Sequence, residues 1–307
     1  MTNVNARDWT NIFFFSQSPP NFIKVNYETQ VDFKPFHPDQ KWLKWFLWKP
    51  VATGRPSGQD RVQVLWLVAK DDGGMIHKYV AKVVSSPSQN FLHLKLISGE
   101  FPEYTEHDAQ LQLRRVPAPR DLREVMKELD PFENEARVFQ RIEKCCDNPQ
   151  IYFPRFYGVI TDLDRSRFRY GYPNRRAIIL EAIKPELASR RILAAHDDNE
   201  TRHIECLRSR LQSLDLSDFE REFYCSLLTD RCRRLSTLHS LAITHGDVKD
   251  EHFRLPGDFH DTVLYDFSVS YTFSPEPPYL VNFRSPRSLK VISDYELGCV
   301  EEQIYNR

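Results

Sequence analysis

His245-Gly246-Asp247-Val248-Lys249-Asp250-Glu251-His252 sets the frame for the rest of this 307-residue chain. It follows a long amphipathic pattern and precedes short apolar runs, which puts it on a surface loop. Nineteen residues after Asp247 comes Asp266, in Val263-Leu264-Tyr265-Asp266-Phe267-Ser268, an apolar run ending in Asp-Phe. Two carboxylates at strand ends, one strand pair apart, can face a common cleft. One then orients a hydroxyl nucleophile and the other holds a metal bound to phosphate. Lys249 projects to the same side of an extended loop as Asp247 and can neutralise developing phosphoryl charge. A single Asp at a strand end is more often a cap or turn former; the ordered combination carries the weight.

In the front half, Tyr79-Val80-Ala81-Lys82-Val83 sets a lysine inside an apolar strand. A buried lysine needs a carboxylate partner or loses its charge. Glu135 borders the apolar stripe of Phe132, Ala136, Phe139 and Ile142 on a helix, and is the natural partner. Glu133 is instead solvated, near Arg137. An edge-strand lysine beside an unrelated glutamate is the plainer alternative.

The pattern around these residues is strand-rich in front and helix-rich behind, with a boundary near 183–186. Arg61–Ala69 and Lys78–Val84 alternate as strands around Asp71-Asp72-Gly73-Gly74, a hairpin turn signal. Phe91–Ile97 continues the strands, and residues 98–120 read as loop. Trp42, Trp45, Phe46 and Trp48 form an aromatic core element. Asp130-Pro131-Phe132-Glu133 opens a helix with a cap, a first-position proline and a capping-box glutamate. Tyr152–Thr161 and Arg176–Ile183 are strands joined by a turn at Gly171-Tyr172-Pro173-Asn174. Ser217 and Glu220 form a second capping box before a long helix whose stripe is Phe219, Phe223, Leu227, Leu235, Leu238 and Ala242. Two short strands at Phe253–Leu255 and Thr262–Tyr265 and a short helix at Asp294–Ile304 close the chain.

Composition narrows the partners. Lys plus Arg is 42 and Asp plus Glu is 43, a net charge of −1, so no overall field draws the chain to DNA or anionic membrane. Arg165, Arg167 and Arg169, interleaved with Phe168 and Tyr170, read as a solvated hairpin rather than an RNA surface, and Arg231, Arg233 and Arg234 as the solvent face of their helix. Six scattered cysteines with no C-x-x-C pair suit reduced, mostly buried thiols of a cytoplasmic protein. The first ten residues have no basic n-region or apolar h-region, so no signal peptide is expected, and the apolar runs are too short to span a bilayer. Only 10 glycines are present, which excludes collagen-like and glycine-linker architectures.

Together these residues resemble the protein kinase superfamily, in particular the short, divergent kinase-like proteins common in fungi. The resemblance runs from about residue 42 to 300. It implies that Lys82 contacts ATP phosphates and Glu135 pairs with it. Glu181-Ala182-Ile183 matches the hinge whose backbone binds adenine, and Gly54 and Gly58 lie where a phosphate loop would be. Asp247 matches the catalytic-loop base, Lys249 the lysine beside it, and Asp266 the metal-binding Asp. Pro154-Arg155-Phe156-Tyr157-Gly158 resembles the strand lining the back of the small lobe. The departures are specific. His252 stands where the family has the second metal-binding Asn, and imidazole suits Mg2+ poorly. Gly246 replaces an Arg, as in small-molecule kinases of the aminoglycoside and choline type. Ser268 replaces the glycine after Asp-Phe, no G-x-G-x-x-G precedes Lys82, and no Ala-Pro-Glu follows. Asp294-Tyr295-Glu296-Leu297-Gly298 only faintly resembles the anchoring helix of the large lobe.

The expected fold is therefore α+β and bilobal. Residues 1–41 form an irregular leader. Residues 42–183 form an antiparallel small lobe with an insertion at about 84–128, and 184–307 a truncated, mainly helical lobe. The expected function is an ATP- and Mg2+-dependent phosphotransferase acting on a hydroxyl of a protein or small molecule, with Asp266 and His252 as metal ligands. A pseudokinase that binds nucleotide without transfer is the alternative. A metal-dependent hydrolase built on His245, Asp247, His252 and Asp266 is the remote one.

Overall fold

The computed structural model describes residues 24–26, 32–36, 44–51, 62–70, 73–84, 130–163, 176–183, 202–255, 261–272, 279–281 and 289–306. The strands are β1 (Lys24–Asn26), β2 (Lys44–Pro50), β3 (Val62–Lys70), β4 (Ile76–Val84), β5 (Phe156–Ile160), β6 (Arg176–Glu181), β7 (Ile243–Thr244), β8 (Tyr271–Thr272) and β9 (Tyr279–Val281). The helices are α1 (Pro131–Cys145), α2 (Arg202–Leu211), α3 (Asp218–Ser240) and α4 (Leu289–Tyr305), with 3-10 turns at Pro149–Ile151 and Asp250–Phe253.

The chain is mixed α+β. Its main sheet is antiparallel throughout, in the order β2-β3-β4-β6-β5. Period-two alternation decides what each face does. Leu65, Leu67, Ala69, Ala81, Val83, Ala177 and Ile179 point to one face and pack with Phe36, Leu47 and Leu163. Val84, Ile178 and Leu180 point to the other, where α1 lays down Phe132, Phe139 and Ile142. Burying each such side chain stabilises the fold by about 1.5–3 kcal/mol. The same apolar cluster continues through Leu207 of α2, Leu227, Leu228, Leu235 and Leu238 of α3, and Val300 and Ile304 of α4. The sheet, α1 and the C-terminal helices thus share one continuous core.

The hairpin expected at Gly73-Gly74 forms, with Gly74 at φ 81. Asp130 caps α1 by accepting the Phe132 N–H at 3.0 Å, and Arg176 grips the same carboxylate at 2.7 Å. Glu133 lies one turn from Arg137 at 3.5 Å. The Ser217–Glu220 capping box closes reciprocally, at 3.3 Å and 2.8 Å.

Several expectations need correction. The leader is not wholly irregular: Phe36 N–H donates to the Val159 carbonyl and Val159 N–H to the Lys34 carbonyl, both at 2.8 Å. Gly158 permits this approach, since a Cβ there would sit 2.7 Å from the Pro35 backbone. In β2, Leu47 is buried, but Phe46 and Trp48 are 48% and 37% exposed. Phe219 is 80% exposed, and Ala242 lies beyond α3 at φ 56. Arg231 and Arg234 are fully buried rather than on the solvent face. Arg231 reaches both oxygens of Asp261 at 2.6 and 2.8 Å, and Asp250 at 2.8 Å. The strands expected at Phe253–Leu255 and Thr262–Tyr265 shrink to a single bridge, Arg254 with Asp261, and β7 pairs with β8 instead. The strand begun at Tyr152 starts at Phe156, because 149–151 coil into a 3-10 turn. The last helix is longer than expected, starting at Leu289. All six cysteines are free, but only Cys225 and Cys232 are buried. Phe91–Ile97, the 98–120 loop, the turn at 171–174 and Arg165, Arg167 and Arg169 lie outside the described residues. No helix among the described residues is long and apolar enough to cross a membrane.

Candidate functional site

Lys82 is the centre. The β4 register places it opposite Val64 on β3 and Ile178 on β6, on the face that α1 covers. Its Nζ lies 2.6 Å from Glu135 Oε2 and 2.6 Å from Asp266 Oδ1. The three groups come from β4, α1 and the loop before β8. Burial alone would lower the Lys82 pKa, but the two carboxylates outweigh it and raise it. Burial pushes Glu135 up to about 7, with Asp266 adding to the push and Lys82 opposing it. Asp266 moves the other way. Burial would raise it, but Lys82, His252 and the Ser268 hydroxyl hold it well below the usual carboxylate range. One cation between two anions leaves the more exposed carboxylate ionised and gives the buried one its greater tendency to keep a proton.

Asp266 sits in the left-handed region, at φ 67, which Asp tolerates better than most residues. Ser268 Oγ donates to its Oδ1 at 2.9 Å, and Asn134 Nδ2 of α1 donates to the Ser268 carbonyl at 3.2 Å. The serine that replaces glycine here is therefore tied to the carboxylate and to α1. Phe267 continues an aromatic column from the sheet to the loop. Phe156 stacks on Phe139 (5.9 Å), Phe139 meets Phe267 (5.1 Å), and Phe267 meets His245 (5.4 Å).

The Asp247 loop is built on Gly246. At φ 82, and with a Cβ position 2.4 Å from the Val269 carbonyl oxygen, only glycine fits there. Glu296 of α4 holds the loop from below: its carboxylate accepts the N–H groups of His245 (3.1 Å) and Gly246 (2.7 Å) and lies 2.7 Å from His239 Nε2. Burial would raise the Glu296 pKa, but these bonds lower it. The sequence reading missed Glu296. The available signal was a carboxylate on the same helical stripe as Val300 and Ile304. Burial drives the His245 pKa down to about 4, so its ring is neutral.

Asp247 lies at the rim, its Oδ2 2.7 Å from Lys249 Nζ. That bond raises the Lys249 pKa. His252 is nearly buried and stacks on His245 at 5.3 Å. Its Nδ1 lies 2.8 Å from the Asp247 carbonyl oxygen and its Nε2 3.5 Å from Asp266 Oδ2. Lys82, Glu135, Asp266, His252, Asp247 and Lys249 thus form one chain of contacts. Glu181 belongs to the end of β6, where it exchanges bonds with Arg155: its N–H donates to the Arg155 carbonyl (2.9 Å) and its Oε2 accepts the Arg155 N–H (3.1 Å). Ile183 follows it, half-buried. Gly54 and Gly58 lie outside the described residues.

Two further residues share the Lys82 face of the sheet. Val80 is two positions before Lys82, and Val64 is directly across from it and 40% exposed. Alternation alone points to Val80; Val64 needs the β3–β4 register. They offer a flat apolar surface beside a cationic group, which suits a heterocycle linked to phosphate. A divalent cation meets a different donor set: one carboxylate oxygen, Asp266 Oδ2, and one imidazole nitrogen. Mg2+ takes oxygen ligands in near-ideal octahedra, so this pair does not fit it. Nor does a four-ligand hydrolase centre assemble: among the described residues no three His, Cys, Asp or Glu side chains are grouped to hold a metal ion, and His245 engages both ring nitrogens, Nε2 with the Tyr265 carbonyl at 3.1 Å and Nδ1 with the Asp247 N–H at 3.4 Å.

Compared with protein-family models and with curated proteins, the sequence matches none.

Proposed function

We propose that the chain is a kinase-like phosphotransferase, with residues 42–183 as a small lobe over a reduced helical lobe of 184–307, and that it moves a phosphoryl group from a nucleoside triphosphate to a hydroxyl. The observation that carries this is Lys82, buried between Glu135 and Asp266. A buried ion triad is expensive to maintain for stability alone, since apolar residues of similar volume serve as well or better. It is useful where a fixed cation must meet phosphate. In this reading Lys82 orients the phosphates and the Ile183 backbone and the Val64–Val80 surface receive the base. Asp247 orients the acceptor hydroxyl and takes its proton, and Lys249 steadies the charge of the transferred group.

Thermal unfolding with ATP, with ADP and with no nucleotide tests the reading. A stabilisation by nucleotide that Lys82→Met removes is the expected result. Phosphoryl transfer is then measured as ADP release, which Asp247→Asn abolishes while leaving nucleotide stabilisation in place. No stabilisation by any nucleotide refutes the reading. His252, an imidazole where the resembled family has an amide, favours a second reading, nucleotide binding without transfer. Stabilisation with no ADP release under any cation selects it.

A further inference from the structure

We propose that the cation taken at this site is a divalent transition ion of the Mn2+ or Co2+ class, held between His252 Nε2 and Asp266 Oδ2, rather than Mg2+. The inference rests on the nucleotide-binding reading above, because the protein supplies two donors and the remaining ligands must be phosphate and water oxygens.

The ring of His252 is oriented before any ion arrives. Its Nδ1 faces the Asp247 carbonyl oxygen at 2.8 Å, and a carbonyl only accepts, so Nδ1 carries the hydrogen. Nε2 is then the ring nitrogen left for an ion, and it faces a carboxylate oxygen, Asp266 Oδ2, at 3.5 Å. A single ion can touch both atoms across that gap. Metal-bound histidines almost always donate their other N–H to a carbonyl or carboxylate in this way, which fixes the tautomer and the aim.

Asp266 is prepared in the same sense. Its Oδ1 is committed to Lys82 at 2.6 Å and to Ser268 Oγ at 2.9 Å, which leaves Oδ2 as the ligand oxygen. The His252 ring cannot swing away: it is nearly buried and stacks on His245 at 5.3 Å. An ion about 2.1 Å from each donor bridges this gap at an open angle. Nitrogen in place of oxygen costs Mg2+ more than it costs Mn2+ or Co2+, whose affinities for N-containing sites rise along the first transition row.

The test uses the full chain with ADP and each of Mg2+, Mn2+ and Co2+. The readouts are the apparent affinity for each cation and the pulsed electron paramagnetic resonance of bound Mn2+. Affinities are taken relative to those of the same ions for free ADP. The expected result is a preference for Co2+ and Mn2+ over Mg2+ of about tenfold or more beyond that of free ADP. A nitrogen coupling should appear on Mn2+ in the wild type and vanish in His252→Asn, which keeps the donor to the Asp247 carbonyl and offers an oxygen instead. His252→Gln repeats the exchange if the shorter side chain unfolds the loop. Mn2+·ADP binding without nitrogen coupling, or a cation preference unchanged in both variants, overturns the inference and leaves nucleotide binding standing. Failure of ADP to bind with or without any of the ions overturns the nucleotide reading and the inference together.

Discussion

Between pH 5.0 and 6.5 the folded protein carries two titrations of opposite sign, and each can be uncovered by removing the other. Glu135 has its pKa raised from 4.5 to about 7. The folded state therefore holds a proton that the unfolded chain has released, and stability falls as pH rises through this window. His245 has its pKa lowered from 6.5 to about 4. Here the unfolded chain holds the extra proton, and stability rises with pH. At about 1.4 kcal/mol per pH unit for a full proton difference, each effect amounts to about 1.5 kcal/mol over that span once partial titration is counted. The two nearly cancel in the wild type. Glu135→Gln keeps the side-chain shape and removes its titration, so stability should then rise by about 1.5 kcal/mol from pH 5.0 to 6.5. His245→Phe keeps a ring against Phe267 and should fall by about the same amount. Absolute stability drops in His245→Phe, because the Tyr265 carbonyl loses its donor, but the slope is the quantity read. Urea unfolding followed by tryptophan fluorescence at the two pH values measures it. Flat profiles in both variants, or slopes of the opposite sign, would refute the assignment of these shifts to burial in the folded state.

Two further outcomes follow from the packing. Arg231→Met leaves the Asp261 carboxylate buried without its bidentate partner and should cost about 3–5 kcal/mol in urea unfolding; adding Asp261→Leu should recover most of it. Gly246→Ala forces a Cβ to within 2.4 Å of the Val269 carbonyl at φ 82 and should cost at least about 2 kcal/mol. In contrast, Gly298→Ala, where the nearest atom is 4.0 Å away inside α4, should gain up to about 1 kcal/mol by thermal unfolding.

Where the sequence reading succeeded, local rules and tertiary demands agreed. Lys82 and Glu135 were legible as a pair because a lysine in an apolar strand has few solutions, and the α1 stripe set Glu135 beside it. The α3 cap needed only Ser217 and Glu220. The failures lie where a tertiary partner overrode a local habit. Arg231 reads as a surface residue until Asp261 and Asp250, 30 and 19 residues away, are brought to it. Phe219 fits the helical stripe by spacing, yet α3 begins before the described core does, and the ring is left 80% exposed. Glu296 stayed hidden because its role is to receive backbone N–H groups from a loop 50 residues earlier; its place on the stripe of Val300 and Ile304 marks it as buried but does not name the groups it receives.

The charge arithmetic of the Lys82 cluster explains the division of labour at the site. Lys82 contributes one positive charge, while Glu135 and Asp266 together contribute two negative ones when both are ionised. A net negative charge in a low-dielectric pocket is costly; His252 and the Ser268 hydroxyl ease it at Asp266, and two further routes can relieve it. Glu135 can take a proton, which its raised pKa expresses, or a second cation can approach. Glu135 is closed to such an approach, with its side chain 1% exposed, whereas that of Asp266 is 33% exposed. Any such approach would come through Asp266, and the imidazole of His252 lies on that side. An amide oxygen in its place would leave the same cluster open to Mg2+. On the proposed reading, the identity of residue 252, rather than the triad itself, sets which cation the site prefers.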